Sequence, residues 1–324
     1  MPGRSFAAVM TRSVLLACLF KFGLPQGEFL PRYNHGRRVP VVCYVNKYSQ
    51  VHPYSPYGMS DIPTKLCSHI NYAFADIEER TWKVKDTLGT FRNFTALKEA
   101  SPRLKVLLSI GGWSNQSNLI SRMASNRPNR RKFLHGIFRT MQKYDFDGLD
   151  IFWLFPGFQQ RGGGPQDKEN LVRLVKEFRE AMALKNRTHL LLTLAVSLSP
   201  FILENGYNIF QLNRYVHWMN AVAYELRGKW LNETDVHSPI VPRSIDPPEL
   251  RELNVRDSMR DLFDRGAYKR KVMMGIGFYG SAYTVQNNNT RLHAPIVIKS
   301  APSSGYFVDK SVSFSYTEIC TRLR

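Results

Sequence analysis

Acidic residues are scarce in this chain: 26 Asp and Glu stand against 45 Lys and Arg among 324 residues, a formal net charge of +19. That balance points to polyanions as partners, or to nothing more than a basic, solvated surface. Long apolar runs are also missing. The nearest stretch, 190–203, is interrupted by Thr, Ser and Pro and falls short of the roughly 18 unbroken apolar residues of a membrane-spanning helix. The histidines show no pairing at ligand spacing, and no Gly-rich phosphate-binding loop opens a helix, so neither a metal nor an organic cofactor is implied. No internal repeat, low-complexity tract or nucleic-acid recognition motif occurs. With 43% hydrophobic and 22% charged residues, collagen, coiled coil and wholesale disorder are excluded.

Cysteine is sparse as well, with four. Arg4 and Arg12 precede a short apolar run, 14–20, followed by Gly23, Pro25 and Gly27, the outline of a secretory signal over residues 1–27 that Lys21 ends early. Cys18 leaves with that segment, Cys43 and Cys67 lie on two successive strand-like segments, and Cys320 stands near the end. A Cys43–Cys67 disulfide is the economical pairing, and it leaves Cys320 over. Five N-glycosylation acceptor triplets begin at Asn93, Asn115, Asn186, Asn232 and Asn288, sites usable only in the secretory pathway. A secreted, extracellular protein is therefore expected.

Seven short apolar runs, 39–45, 67–76, 104–110, 146–154, 189–198, 216–224 and 272–279, have the character of buried parallel strands. Charge-rich stretches alternate with them, such as 128–144 and 167–183, where Leu171, Leu174, Val175, Phe178 and Met182 recur at helical spacing. Seven strand–helix units over about 240 residues predict an α/β fold, a (β/α)8 barrel rather than an open doubly wound sheet. An eighth strand is not visible. After Tyr279 the chain turns rich in Asn, Ser, Pro and Gly, then offers one more candidate strand at 312–316.

The fourth run carries the most information. Asp147-Gly148-Leu149-Asp150-Ile151-Phe152-Trp153-Leu154-Phe155-Pro156-Gly157 resembles the DGxDxDxEYPG signature of the family 18 glycoside hydrolases, the chitinases. Further segments match in order: Cys67 to Ala75, Leu104 to Trp113, Ala223 to Gly228, Gly275 to Gly280 and Tyr316 to Cys320. The resemblance spans residues 39–324 and implies a barrel over 39–282 with a partial α+β insertion domain over 283–324. In that family the Cys in Glu318-Ile319-Cys320 has a partner, and an eighth strand follows; neither is present in this sequence.

Alternate strand positions point the same way, so Asp150 and positions 152 and 154 face the barrel interior and its mouth. In active relatives the last is the Glu that protonates the leaving oxygen, and the middle is the Asp that holds the substrate's N-acetyl group for attack. Here they are Leu154 and Phe152. Neither can donate a proton or accept a hydrogen bond, and losing general acid catalysis alone removes about 10²–10⁴ in rate. Asp147 and Asp150 are expected to be structural. Glu225 stands where relatives carry Asp, a substrate contact on another wall of the barrel.

The resemblance implies a better preserved sugar groove. Tyr44, Tyr48, Phe74, Trp113, Tyr224, Trp230 and Tyr279 match aromatic or substrate-contacting positions, and rings there stack on the apolar faces of sugars. Against this, Phe152 is placed to close the central subsite, and a glycan on Asn115 would crowd the cleft. The basic stretches 127–139 and 265–271 are candidate sites for sulfated glycans, with a solvated helix face as the plainer reading. Three functional expectations follow: an inactive chitinase-like protein binding chitin or related N-acetylglucosamine glycans, a residual chitinase, or a truncated product with no ligand.

Overall fold

A computed structural model describes residues 40–51, 57–113, 116–297, 313–316 and 319–320. The proposed leader over 1–27 and Asn115 lie outside them. The chain divides into two compact units. The larger comprises Pro40–Leu226 and Ser238–Gly277; the smaller comprises Arg227–His237 and the described residues from Phe278 onward.

The larger unit is built on seven parallel strands in chain order: β1 (Val42–Asn46), β2 (His69–Ile77), β4 (Lys105–Gly112), β5 (Gly148–Trp153), β6 (Leu191–Ser197), β7 (Trp218–Val222) and β8 (Val272–Met274). A two-residue strand, β3 (Val84–Lys85), pairs antiparallel with the end of β2. Every residue of β5 is buried, as are seven of the eight in β4, which is why these strands read as unbroken apolar runs rather than alternating ones. Helices cover the outer side: α1 (Phe91–Thr95), α2 (Leu97–Ala100), α3 (Gln116–Ser125), α4 (Arg127–Tyr144), α5 (Asp167–Leu184), α6 (Pro200–Gly206), α7 (Ile209–Tyr215) and α8 (Val255–Asp264).

Local chemistry sets these elements. Asn126 caps α4 by accepting the Asn129 N–H at 2.9 Å, Pro128 sits in the first turn, and Asp145 ends the helix in the left-handed conformation. Leu171, Leu174, Val175, Phe178 and Met182 of α5 are all buried, and Phe178 stacks on Phe138 of α4 with centroids 4.9 Å apart. The disulfide joins Cys43 on β1 to Cys67 just before β2.

The sheet ends at β1 and β8, and no eighth barrel strand pairs with either edge among the described residues. The seventh apolar run does not stay in one strand. Its first half is β8, while its end begins β9 (Tyr279–Ser281), which pairs antiparallel with β10 (Ser313–Ser315) in the small unit. The candidate strand at 312–316 thus forms, but in a separate two-stranded sheet. The small unit takes in the described residues from Phe278 onward and the segment Arg227–His237. That segment carries the fully buried Arg227–Asp235 ion pair, 3.0 Å, a polar core that apolar periodicity does not reveal.

Candidate functional site

Asp150 lies at the centre of β5 and is fully buried. A carboxylate in such a place must be satisfied by donors, and four other strands of the sheet supply them. Tyr44 of β1 donates its hydroxyl to Oδ2 at 3.0 Å and Ser109 of β4 donates to the same oxygen at 2.6 Å. Thr193 of β6 and Asn220 of β7 donate to Oδ1 at 2.6 and 3.1 Å. Register accounts for part of this arrangement, since Ser109, Asp150 and Thr193 are direct partners across adjacent strands. Asn220 also donates to the Tyr44 hydroxyl at 2.8 Å and accepts from the Trp218 indole at 2.9 Å.

Burial raises the Asp150 pKa, with the four hydrogen bonds pulling the other way. Burial, then the Asp150 charge, holds the Tyr44 phenol well above its ordinary value. Tyr224, past the end of β7, is pushed up to about 12 by burial and by Glu225 and Asp150. Ser109, Thr193 and Asn220 had no signal of their own in the sequence, because small polar residues inside apolar runs gain meaning only from cross-strand register.

Above Asp150 the interior becomes apolar. Phe152 and Leu154, each 7% exposed, form a cluster with Ala195, against which Tyr44, Phe74, Phe155 and Val222 pack. Phe152 meets Phe74 at a centroid distance of 5.2 Å and Tyr44 at 5.3 Å, both edge-on. The space above the buried carboxylate is therefore occupied by rings. Two glycines at the end of β4 permit this packing. A Cβ on Gly111 would come within 2.2 Å of the Phe152 carbonyl oxygen, and one on Gly112 within 2.4 Å of the Phe74 ring, and both have positive φ.

The rim carries the exposed aromatics. Trp113 follows β4 and is 64% exposed; Tyr48 follows β1 and is 56% exposed. Arg161 lies 4.2 Å over the Trp113 ring and donates 2.7 Å bonds to the carbonyls of Trp113 and Leu154, tying the ends of β4 and β5 together. Neither Arg161 nor Phe155, 6.4 Å edge-on to Trp113, was expected from sequence. Glu225 is exposed beyond β7. Asp147, at the opposite end of β5, accepts from the Val106 N–H and the Lys105 ammonium, both at 2.9 Å.

Trp230 and Tyr279 belong to the small unit, where Trp230 lies against Gly228 and Tyr279 stacks on His237 at 5.2 Å. The same unit brings His293 to Glu233 and Asp235, with ligand-type atoms within 4.8 Å of one another. Asp235 already faces the buried Arg227 guanidinium, which supplies the positive charge there.

A parallel barrel whose fourth strand presents an interior carboxylate beneath an aromatic mouth has the architecture of barrel glycosidases. The family profile described as Glycosyl hydrolases family 18 matches residues 40–324, and the chain belongs to that family. It is 33% identical over 298 residues to an endochitinase of Manduca sexta, covering 88% of this chain and 53% of the relative. It is 30% identical over 300 residues to an oviduct-specific glycoprotein of Sus scrofa, covering 90% and 55%. The chain thus spans about half the length of the curated relatives it matches.

Among solved structures, catalytic domain 2 of the Ostrinia furnacalis group II chitinase superposes with a TM-score of 0.81 at 30% identity, covering 88% of this chain and 76% of that one. A Glu-to-Leu variant of that domain was solved in complex with a chitooligosaccharide, (NAG)5. Human YKL-39, described as a pseudo-chitinase with retained chitooligosaccharide binding, superposes at 0.79 with 28% identity, covering 87% and 78%.

Proposed function

We propose that this protein binds chitooligosaccharides at the barrel mouth and does not hydrolyse them. The observation that carries the reading is the burial of Phe152 and Leu154 in one apolar cluster at the positions from which an acid and an orienting carboxylate would act. Substrate-assisted hydrolysis needs a proton donor at the leaving oxygen and a polar partner for the N-acetyl group, and neither side chain supplies one. Asp150 lies beneath this layer with all four donors committed to it, so it serves as a strut between strands. Trp113 and Tyr48 keep exposed rings suited to stacking on sugars. The retained binding described for YKL-39 supports the same reading.

A secreted, glycosylated protein fits the remaining features. Asn93, Asn186, Asn232 and Asn288 are all exposed, and the Cys43–Cys67 disulfide suits an oxidising compartment. The test is retention of the expressed protein on chitin beads, at moderate salt, against competing chitooligosaccharide. Competable retention without turnover of a chromogenic chitooligosaccharide supports the proposal. The double variant Phe152→Asp, Leu154→Glu serves as the control for restored activity. Turnover by the parent chain at the rate of that variant refutes inactivity, and no retention by soluble monomer refutes binding.

A further inference from the structure

The barrel unit carries a second distinctive surface, at the end opposite the mouth. Helix α4 contains Arg127, Arg130, Arg131, Lys132, His135, Arg139 and Lys143 and no Asp or Glu. Lys132, His135, Arg139 and Lys143 follow one another at spacings of three, four and four residues. They share one exposed face about 16 Å long. On one side of Arg139 and Gln142 lies a cavity of about 400 Å³ that reaches Val84 and Tyr144; on the other lies one of about 280 Å³ that reaches Lys185 and Arg187.

Topology places this surface. Helix α4 follows α3 on the way back from β4 and its last turn leads within a few residues into β5, while Lys185 and Arg187 lie between α5 and β6. The last turn of the ridge, with Lys143, and the α5–β6 turn therefore sit where strands begin, and the aromatic rim sits where they end.

The acids nearby are already engaged. Asp86, which lines the larger cavity, accepts the N–H groups of Thr90 and Phe91 at 2.9 and 3.0 Å. Asp145 pairs with Lys98 at 2.6 Å, and Glu177 with the buried Arg130 at 2.7 Å. Among the described residues no ion pair holds Lys132, Arg139, Lys143, Lys185 or Arg187. In the other basic stretch, 265–271, two of the four cations are engaged: Arg265 pairs with Asp261 and Glu204, and the Lys271 ammonium donates to the carbonyls of Asn213 and Val216, while Lys269 lies 5.7 Å from the Phe263 ring.

We infer that the α4 ridge with the α5–β6 turn is a binding surface for a sulfated polysaccharide, independent of whether the mouth binds chitooligosaccharides. A row of cations free of ion pairs over such a length matches a linear polyanion rather than a single anion. Single-stranded nucleic acid takes its affinity partly from bases stacked on open aromatic faces; of the Phe and Tyr rings lining the two cavities, Phe138 is buried against Phe178 and Tyr144 already has Lys143 and Arg92 over it at 4.8 and 5.8 Å. Membrane attachment needs an exposed apolar face, and α4 exposes no large apolar side chain. A polysaccharide adds hydroxyls that the exposed Gln142 amide between the cavities can bind. Asn186, an acceptor for N-glycosylation, stands between Lys185 and Arg187, so a glycan there would cover the smaller cavity.

The experiment uses the full chain carrying Thr188→Ala, which removes the acceptor triplet while leaving Asn186 in its left-handed turn. The probe is a heparin oligosaccharide, titrated at an ionic strength of about 0.15 M. Binding is expected to be unaffected by excess chitooligosaccharide. It should weaken at least about tenfold in the triple variant Arg139→Ser, Lys143→Ser, Arg187→Ser, and by less than about twofold in Lys229→Ser, Arg260→Ser, Arg291→Ser, which removes the same charge elsewhere. Equal weakening by both triples, competition by chitooligosaccharide, absence of binding, or displacement by single-stranded DNA as effective as that by heparin would each overturn the inference.

Discussion

The rings of Tyr44 and Phe152 stand at 89° with centroids 5.3 Å apart, and the same Tyr44 donates its hydroxyl to Asp150 at 3.0 Å. One side chain thus joins two layers of the barrel interior. Below it lies a carboxylate held by four strands; above it lies an aromatic plug.

Tyr44→Phe removes a donor to Asp150 and an acceptor for Asn220 while keeping the ring against Phe152 and Phe74. Leaving buried polar groups short of partners costs about 1–3 kcal/mol, so denaturant unfolding should show a loss in that range. An unchanged midpoint would mean that water replaces the hydroxyl.

Phe152→Ala separates stability from binding. Removing a buried ring costs about 3–5 kcal/mol, and its 7% exposure and place at the mouth put this site at the low end. The vacated volume opens the region above Asp150. Thermal unfolding should fall while chitooligosaccharide affinity, measured by calorimetry, rises. Loss of both would show that the ring supports the groove rather than fills it.

The raised pKa of Asp150 fixes the sign of a pH dependence. The folded state holds this proton more tightly than the unfolded chain, whose Asp titrates near 3.9. The stabilising contribution is therefore present below about pH 4 and is lost as pH rises through the folded value. Asp150→Asn removes that titration, so its unfolding midpoint should vary less with pH above about 4 than the parent's does. Parallel curves would place the pH dependence elsewhere.

Arg161→Ala tests the rim. Arg161 supports Trp113 by ring contact and by hydrogen bonds to two backbone carbonyls. Freed of that support, Trp113 must be ordered by the ligand, which should lower chitooligosaccharide affinity about fivefold and raise the ligand-induced change in tryptophan fluorescence. Stability should drop by no more than about 1.5 kcal/mol. Unchanged affinity would remove Trp113 from the proposed groove.

Much of this architecture is legible in the order of residues. Unbroken apolar runs mark strands buried on both faces, and the 3.6-residue pattern of 167–183 marks α5 to within a residue. The period of two along β5 puts Asp150 and Phe152 on the interior side, with Leu154 just past the strand end, so the apolar character of positions 152 and 154 is read directly from the sequence. The acid-free composition of α4 is equally plain in the chain.

Other features depend on contacts between residues far apart. Ser109, Thr193 and Asn220 become partners of Asp150 only when parallel strands fall into register across separations of 41, 43 and 70 residues. The break of the 272–279 run into β8 and β9 is decided by pairing with β10, because a short apolar segment has no intrinsic preference between two sheets. Tertiary structure also sorts the two basic stretches, committing Arg265 and Lys271 to carboxylates and carbonyls while leaving the ridge of α4 exposed. Sequence therefore determined which side chains the barrel presents and which chemistry they lack. The fold alone decided which buried groups meet and which charges stay in water, because hydrogen bonds and ion pairs depend on distances that chain order does not contain.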